Sequence, residues 1–296
     1  MHDASGGDGR AFAIGILLNL GIVGLEIVGG MATHSMALVS DAAHNASDVL
    51  GLGLAWGAAA LSKRRPSAQR TYGLRRASIL AALGNAVLLL VATGGVGWEA
   101  IRRLGSPPTV GAAGVIAIAT IAALVNALSA LLFAAGRKRD LNIAAAFTHL
   151  AGDALIALGV AAAGAVVWAT GWSRLDPIVA LVVSALVLVA TYALLRKSLD
   201  LALDAVPEGI DAYAVRAFLG SLPGVLEVHD LHIWGMSTTE AVLTAHLVVV
   251  STGADPCLLI DVERALHDRF HIEHSTLQIE AEHAAAECRL APDERV

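Results

Sequence analysis

Two short segments of the chain share one pattern, a histidine four residues before an aspartate: His44-Asn45-Ala46-Ser47-Asp48 and His149-Leu150-Ala151-Gly152-Asp153. In a helix that spacing puts imidazole and carboxylate on the same face, one turn apart, so each pair can reach a single point beside its helix. Two such helices facing each other present two nitrogens and two oxygens. That is a tetrahedral donor set suited to a divalent ion such as zinc. Both pairs lie in apolar runs, which predicts a metal site of His44, Asp48, His149 and Asp153 inside a membrane.

The elements that must position them follow from composition. Of the 296 residues, 56% are hydrophobic and 16% charged, against about 45–50% and about 25% in ordinary soluble domains. The excess is clustered in Ala11–Met31, Ser35–Leu61, Ala77–Gly97, Val110–Ala135, Ile143–Thr170 and Leu175–Leu195. Each carries about the 20 residues that cross a ~30 Å hydrocarbon core, which predicts six transmembrane helices. After Leu203 no long apolar run follows, and the charge changes sign. Residues 1–203 carry a net +5 and residues 204–296 a net −11. The expected organisation is a membrane domain over 1–203 and a soluble acidic domain over 204–296.

Orientation follows the basic residues. Arg10, the group Lys63, Arg64, Arg65, Arg70, Arg75 and Arg76, the group Arg137, Lys138 and Arg139, and Arg196 with Lys197 mark one side. Arg102 and Arg103 oppose them. Both termini and the acidic domain are expected on the cytoplasmic side. The start of the chain lacks the basic n-region of a cleaved signal, and with short loops this suggests a multi-pass protein of a bacterial-type inner membrane. Cys257 and Cys288 do not form a disulfide framework. The acidic excess repels phosphate backbones and excludes nucleic acid as a partner.

Polar groups within the spans need partners or a function, because an isolated carboxylate near the bilayer centre costs roughly 2.5–3.5 kcal/mol. Metal ligation satisfies Asp48 and Asp153. Asp41 shares their helix face up to two turns away and reads as an accessory residue, supporting the ligands or lining an entrance. Asn19, Asn45, Asn85 and Asn126 read as interhelical hydrogen-bonding groups. Glu26 reads the same way or as a station for protons or cations. Glycines at 21, 24, 29, 30, 51, 53 and 57 would let the first two spans approach their neighbours closely.

Beyond the spans, the pattern predicts a helix near Asp211–Ser221, strands near Leu226–Met236 and Ala241–Val250, a helix near Pro256–Arg269 and a strand near Ser275–Glu282. The alternation in Val242–Val248 suits a half-buried strand. The class is α+β, with helices on one face of a small sheet.

The segments Ser35–His44 with Asp48, Thr71–Arg76 leading into Ile79–Asn85, His149 with Asp153, Asp176-Pro177, Val228–Trp234 and His274–Glu280 resemble, in order, the signatures of the cation diffusion facilitator family of zinc-exporting transporters. The resemblance implies a homodimer with six helices per protomer and a cytoplasmic metallochaperone-like αββαβ domain, exchanging cytoplasmic divalent metal for external protons. It assigns the transport site to His44, Asp48, His149 and Asp153, a variant that implies zinc. It also implies a regulatory metal site at His229, His246 and Glu280, which Cys257, opening the second helix of that domain, can join as a thiolate. Gln278 stands where some members have histidine, and His232 reads as a structural strand residue. Arg76 and Asp204 match positions of an interdomain charge pair. The loop Lys63–Arg70 lacks the Asp and His of a further family site, so no metal is expected there.

Metal needs neutral imidazole and ionised carboxylate, so metal and protons compete for the same atoms. Cadmium, cobalt and nickel share these donor preferences. The tetrahedral mixed set favours zinc. A catalytic zinc keeps one position open for water, whereas four protein ligands fill it. The chain also lacks HExxH, so an enzyme is not expected. The other class open to this pattern is a membrane-bound metal sensor without transport.

Overall fold

The computed structural model describes residues 5–134, 141–250 and 256–282, with side chains outside 5–16, 141, 142, 145 and 256–258. Six long helices come first: α1 (Ser5–Thr33), α2 (Met36–Ser62), α3 (Ala77–Gly105), α4 (Ala112–Ala134), α5 (Leu141–Thr170) and α6 (Leu175–Ala202). Then follow α7 (Ala212–Gly220), β1 (Val225–Gly235), β2 (Ala241–Val249), α8 (Pro256–Phe270) and β3 (Ile272–Ala281), the expected αββαβ order. The chain forms two compact units, one of Met1–Leu54 with Gly84–Leu194 and one of Ala55–Leu83 with Leu195–Val296.

In the helical unit the contacts use small side chains. Ala37 and Leu38 of α2 meet Val115 and Ala119 of α4 and Val160 and Ala161 of α5, and Ile22 of α1 meets Ala122, Ala123 and Ala157. Small residues let helices approach where no water drives them together. Large residues point outward, among them Leu128, Leu131, Leu132, Trp168 and Val189, as a hydrocarbon surrounding requires. Among the described residues, α3, α4, Ala146–Thr170 of α5 and α6 are long and apolar enough to cross a membrane, and α1 adds the shorter apolar stretch Leu17–Thr33. Helix α2 is 27 residues long, but Asp41, His44, Asn45, Ser47 and Asp48 dilute its apolar character.

The short connection between α1 and α2 is tied down from three directions. Gly111 N–H donates to the Thr33 carbonyl at 2.9 Å and an Arg103 guanidinium nitrogen to the His34 carbonyl at 2.9 Å. Asp176, at the start of α6, accepts from Ser35 Oγ at 2.5 Å, Met36 N–H at 2.7 Å and Ala37 N–H at 3.3 Å, while Ser35 Oγ accepts from Leu38 N–H at 3.2 Å. These are the orphan amides of a helix start, satisfied by its own cap and by a carboxylate from another helix. Arg102 and Arg103, which ran against the charge pattern, both pair with Glu99, at 3.2 and 3.0 Å. That pairing lets α3 continue to Gly105, beyond the apolar run that ended at Gly97. Of the glycines expected at close approaches, Gly29 faces Ile118 and Gly51 faces Asn85 with no room for a Cβ, whereas Gly21, Gly24, Gly53 and Gly57 face open space.

In the other unit the sheet order is β1-β2-β3, with β1 and β2 antiparallel and β2 and β3 parallel. Val215 and Leu219 of α7 and Val262 and Leu266 of α8 close over Leu243, Ala245 and Leu247 of β2. In β2 burial alternates through the middle as expected, with Leu243, Ala245 and Leu247 buried and Thr244 and His246 partly exposed, whereas the residues at both ends are all buried, as suits a central strand. The parallel β2–β3 pairing is made possible by the crossover through α8.

Candidate metal centres

Helix α2 carries His44 and Asp48, and α5 carries His149 and Asp153. The two pairs meet and cross: His44 Nε2 lies 3.4 Å from Asp153 Oδ1, and His149 Nε2 lies 3.4 Å from Asp48 Oδ2. His149 is also 3.5 Å from Asp153 Oδ2, and His44 is 4.0 Å from Asp48 Oδ2. Donors held about 2.0–2.1 Å from zinc at the corners of a tetrahedron stand about 3.3–3.4 Å apart. Three of the four separations are near that edge length, and the fourth, His44 to Asp48, is longer. Ligand atoms of His44, Asp48 and Asp153 all lie within 4.8 Å of one another, and His149 stands outside that compact group although its Nε2 approaches both carboxylates.

Burial adds a second argument. The Asp153 side chain is 3% exposed and that of Asp48 25% exposed, yet among the described residues Oδ2 of each has no hydrogen-bond donor. Uncompensated buried carboxylate oxygens are costly, and a cation at this point removes the cost. A cavity of about 620 Å³ lined by His44, Thr148, His149, Gly152 and Asp153, among others, adjoins them. Asp41 is 1% exposed, so it is no open entrance. Asn45 makes the interhelical hydrogen bond expected of it, donating from Nδ2 to Glu26 Oε2 at 3.0 Å.

A second cluster lies on the sheet. The register sets His229 of β1 opposite His246 of β2, and Glu280 of β3 opposite Val248. His229 Nε2 is 3.1 Å from Glu280 Oε2, His246 Nδ1 is 2.8 Å from Glu280 Oε1, and the three ligand atoms form one compact group. Gln278 donates to Glu280 Oε1 at 2.7 Å, so the residue that departs from the histidine pattern orients the Glu280 carboxylate instead. Asp230 joins this cluster although the strand pattern of the sequence does not place it there. A break in register between His229 and His232, with Asp230 at φ 50°, brings its Oδ2 to 3.5 Å from His246 Nε2. Regular alternation would have sent Asp230 to the opposite face from His229. His232 pairs with Asp230 at 2.9 Å and stands outside the metal-like group. Cys257 begins α8, but its side chain lies outside the described residues, as do His283 and Cys288. His246→Ala is expected to lose one zinc equivalent per protomer by metal analysis of the purified protein, with binding at the helical site retained.

Arg76 forms an ion pair with Asp204, and Arg75 pairs with Glu240 at 2.8 Å. The Arg76 and Asp204 side chains are 50% and 54% exposed, so the pair contributes about 1 kcal/mol or less to stability and any larger effect must come from orientation. Arg76→Asp is expected to impair flux. Adding Asp204→Arg should restore part of it, and an inactive double variant would count against the pairing.

Two family models match the chain. The cation efflux transmembrane domain matches residues 12–201, and the cation efflux protein cytoplasmic domain matches 207–282. The metal cation efflux system protein CzcD of Cupriavidus metallidurans is 36% identical over 281 residues, covering 94% of this chain and 89% of its own length. The zinc transporter ZitB of Escherichia coli is 36% identical over 271 residues, covering 91% and 86%. A cadmium, cobalt and zinc/H⁺-K⁺ antiporter of Bacillus velezensis is 32% identical over 284 residues, covering 94% and 90%.

Proposed function

This chain belongs to the cation efflux family, and on that premise we propose that it exports divalent metal, zinc foremost, from the cytoplasm in exchange for protons by alternating access. Family members are metal cation efflux transporters and not enzymes. The protein is a multi-pass inner-membrane homodimer. We further assign 1–203 to the membrane domain and 204–296 to the cytoplasmic one, with both termini cytoplasmic.

One observation carries the substrate assignment: two imidazoles and two carboxylates, drawn from two helices, converge, and each imidazole reaches a carboxylate of the other helix at 3.4 Å, near the edge length of a zinc tetrahedron. The residues then work as follows. Facing the cytoplasm, neutral His44 and His149 and ionised Asp48 and Asp153 take up the metal. Facing a more acidic compartment, the same imidazoles take protons and lose their lone pairs for the ion, so the metal leaves. Return with protons bound completes the exchange. The name of the Bacillus velezensis relative agrees with proton coupling, and that of the Escherichia coli relative agrees with zinc. His229, His246 and Glu280, with Cys257, form a regulatory site in the cytoplasmic domain under this reading.

The test is transport by purified protein in vesicles loaded with a zinc-sensitive dye. Saturable zinc uptake that accelerates when the lumen is acidified supports the proposal. Saturable binding without flux would make the protein a metal sensor.

A further inference from the structure

Beside the four ligands, α1 and α2 enclose a second group of oxygens. Glu26 is 0% exposed, Asp41 1% and Asn45 1%. Asn45 donates from Nδ2 to Glu26 Oε2 at 3.0 Å, and the carboxyl groups of Glu26 and Asp41 lie within hydrogen-bonding reach of each other. Among the described residues no donor meets Glu26 Oε1, either oxygen of Asp41, or Oδ1 of Asn45. Asp41 precedes Asn45 by four residues and so shares its face of α2. Two carboxylates in contact, sealed from water and offered one amide donor between them, cannot both hold a negative charge while no cation lies beside them. A proton between them turns two acceptors into a donor and an acceptor. It is the smallest species that satisfies the geometry.

We propose that Glu26 and Asp41 share one proton, and that this carboxyl pair, oriented by Asn45, is a proton-exchange site separate from the metal ligands. The proposal rests on the proton-exchange reading above and deepens it. The other ionisable groups whose charge reaches the pair are His44 and Asp153, both of them ligands, so arrival of a dication is felt at the pair. The step balances simply. As the metal binds, the O–H bond of the pair breaks, the proton passes to water through the cavity that His44 and Asp153 line, and the pair goes from one negative charge to two. When the metal leaves, one proton from the opposite side restores the O–H bond. This proton adds to those exchanged on the imidazoles.

Calorimetric zinc titration of the full-length protein in buffers of different ionisation enthalpy counts protons released per zinc bound. Glu26→Gln and Asp41→Asn should each release one proton fewer than the wild type while binding the same number of zinc ions. An unchanged proton count would overturn the proposal, and so would loss of one zinc equivalent, which would make the group a metal subsite. A wild type that releases no protons at all would sink the exchange reading itself, so the two failures are distinguishable. A second measurement uses the wild type alone and does not depend on the variants folding. In infrared difference spectra, zinc binding should remove the C=O band of a protonated carboxyl group, and the absence of any such band would refute the shared proton.

Discussion

Asp153→Ala is expected to abolish zinc flux and to weaken zinc binding at the helical site by about two to three orders of magnitude. Zinc held by four protein ligands is worth roughly 10–16 kcal/mol at neutral pH, or about 3–4 kcal/mol per ligand, and each 1.4 kcal/mol is a factor of ten. Asp153 is the ligand with least scope for replacement by water, because its side chain is 3% exposed and its oxygens approach both His44 and His149. Asp48, at 25% exposed, has water nearby to take the vacated position, so Asp48→Ala should lose measurably less affinity. Zinc titration of the two variants with a competing chelator gives the order. Equal losses, or a larger loss at Asp48, would contradict the site as built from these distances.

The second large effect is expected at Asp176→Ala, which touches no ligand. Removing the carboxylate leaves Ser35 Oγ and the Met36 and Ala37 amides without their acceptor at the buried start of α2. Hydrogen bonds to a charged group are worth about 1.5–3 kcal/mol each and do not add fully. A destabilisation of about 3–5 kcal/mol follows, read as a lower midpoint of thermal unfolding in detergent. Because α2 carries His44 and Asp48, zinc should recover part of the lost midpoint by binding only the ordered form. Asp176→Asn, which keeps one carbonyl acceptor, should fall between the variant and the wild type. An unchanged midpoint for Asp176→Ala would show that the α1–α2 connection and Ser35 hold the helix start without help from α6.

The meeting of the two HxxxD segments was legible because a helical period of four residues already aligns each pair, and apolar flanks announce the helices around them. The αββαβ order was legible for the same reason: period, turn residues and charge all change together near Leu203. What escaped depends on contacts between residues far apart in the chain. Asp176 could be seen as part of a recurring Asp-Pro signature, but its partners are 139–141 residues away, and no local pattern links them. Asp230 was hidden by a bulge, since strand periodicity sends neighbours to opposite faces and only the irregular register of β1 brings it toward His246. The proximity of Glu26 to Asp41 required knowing which faces of α1 and α2 oppose each other. Apolar periodicity could not supply that, because α1 is apolar nearly all round.

The crossed pairing of the ligands has one mechanical consequence. Each imidazole reaches a carboxylate of the opposite helix at 3.4 Å, so a slip of α2 past α5 parts His44 from Asp153 and His149 from Asp48. An axial slip of about 3 Å, the rise of two helical residues, stretches a lateral gap of about 3.4 Å to about 4.5 Å, too wide for a tetrahedral zinc. On the transport reading proposed above, cargo release asks for no unfolding and no large swing at the ion itself, only a short stroke of one rod along its neighbour.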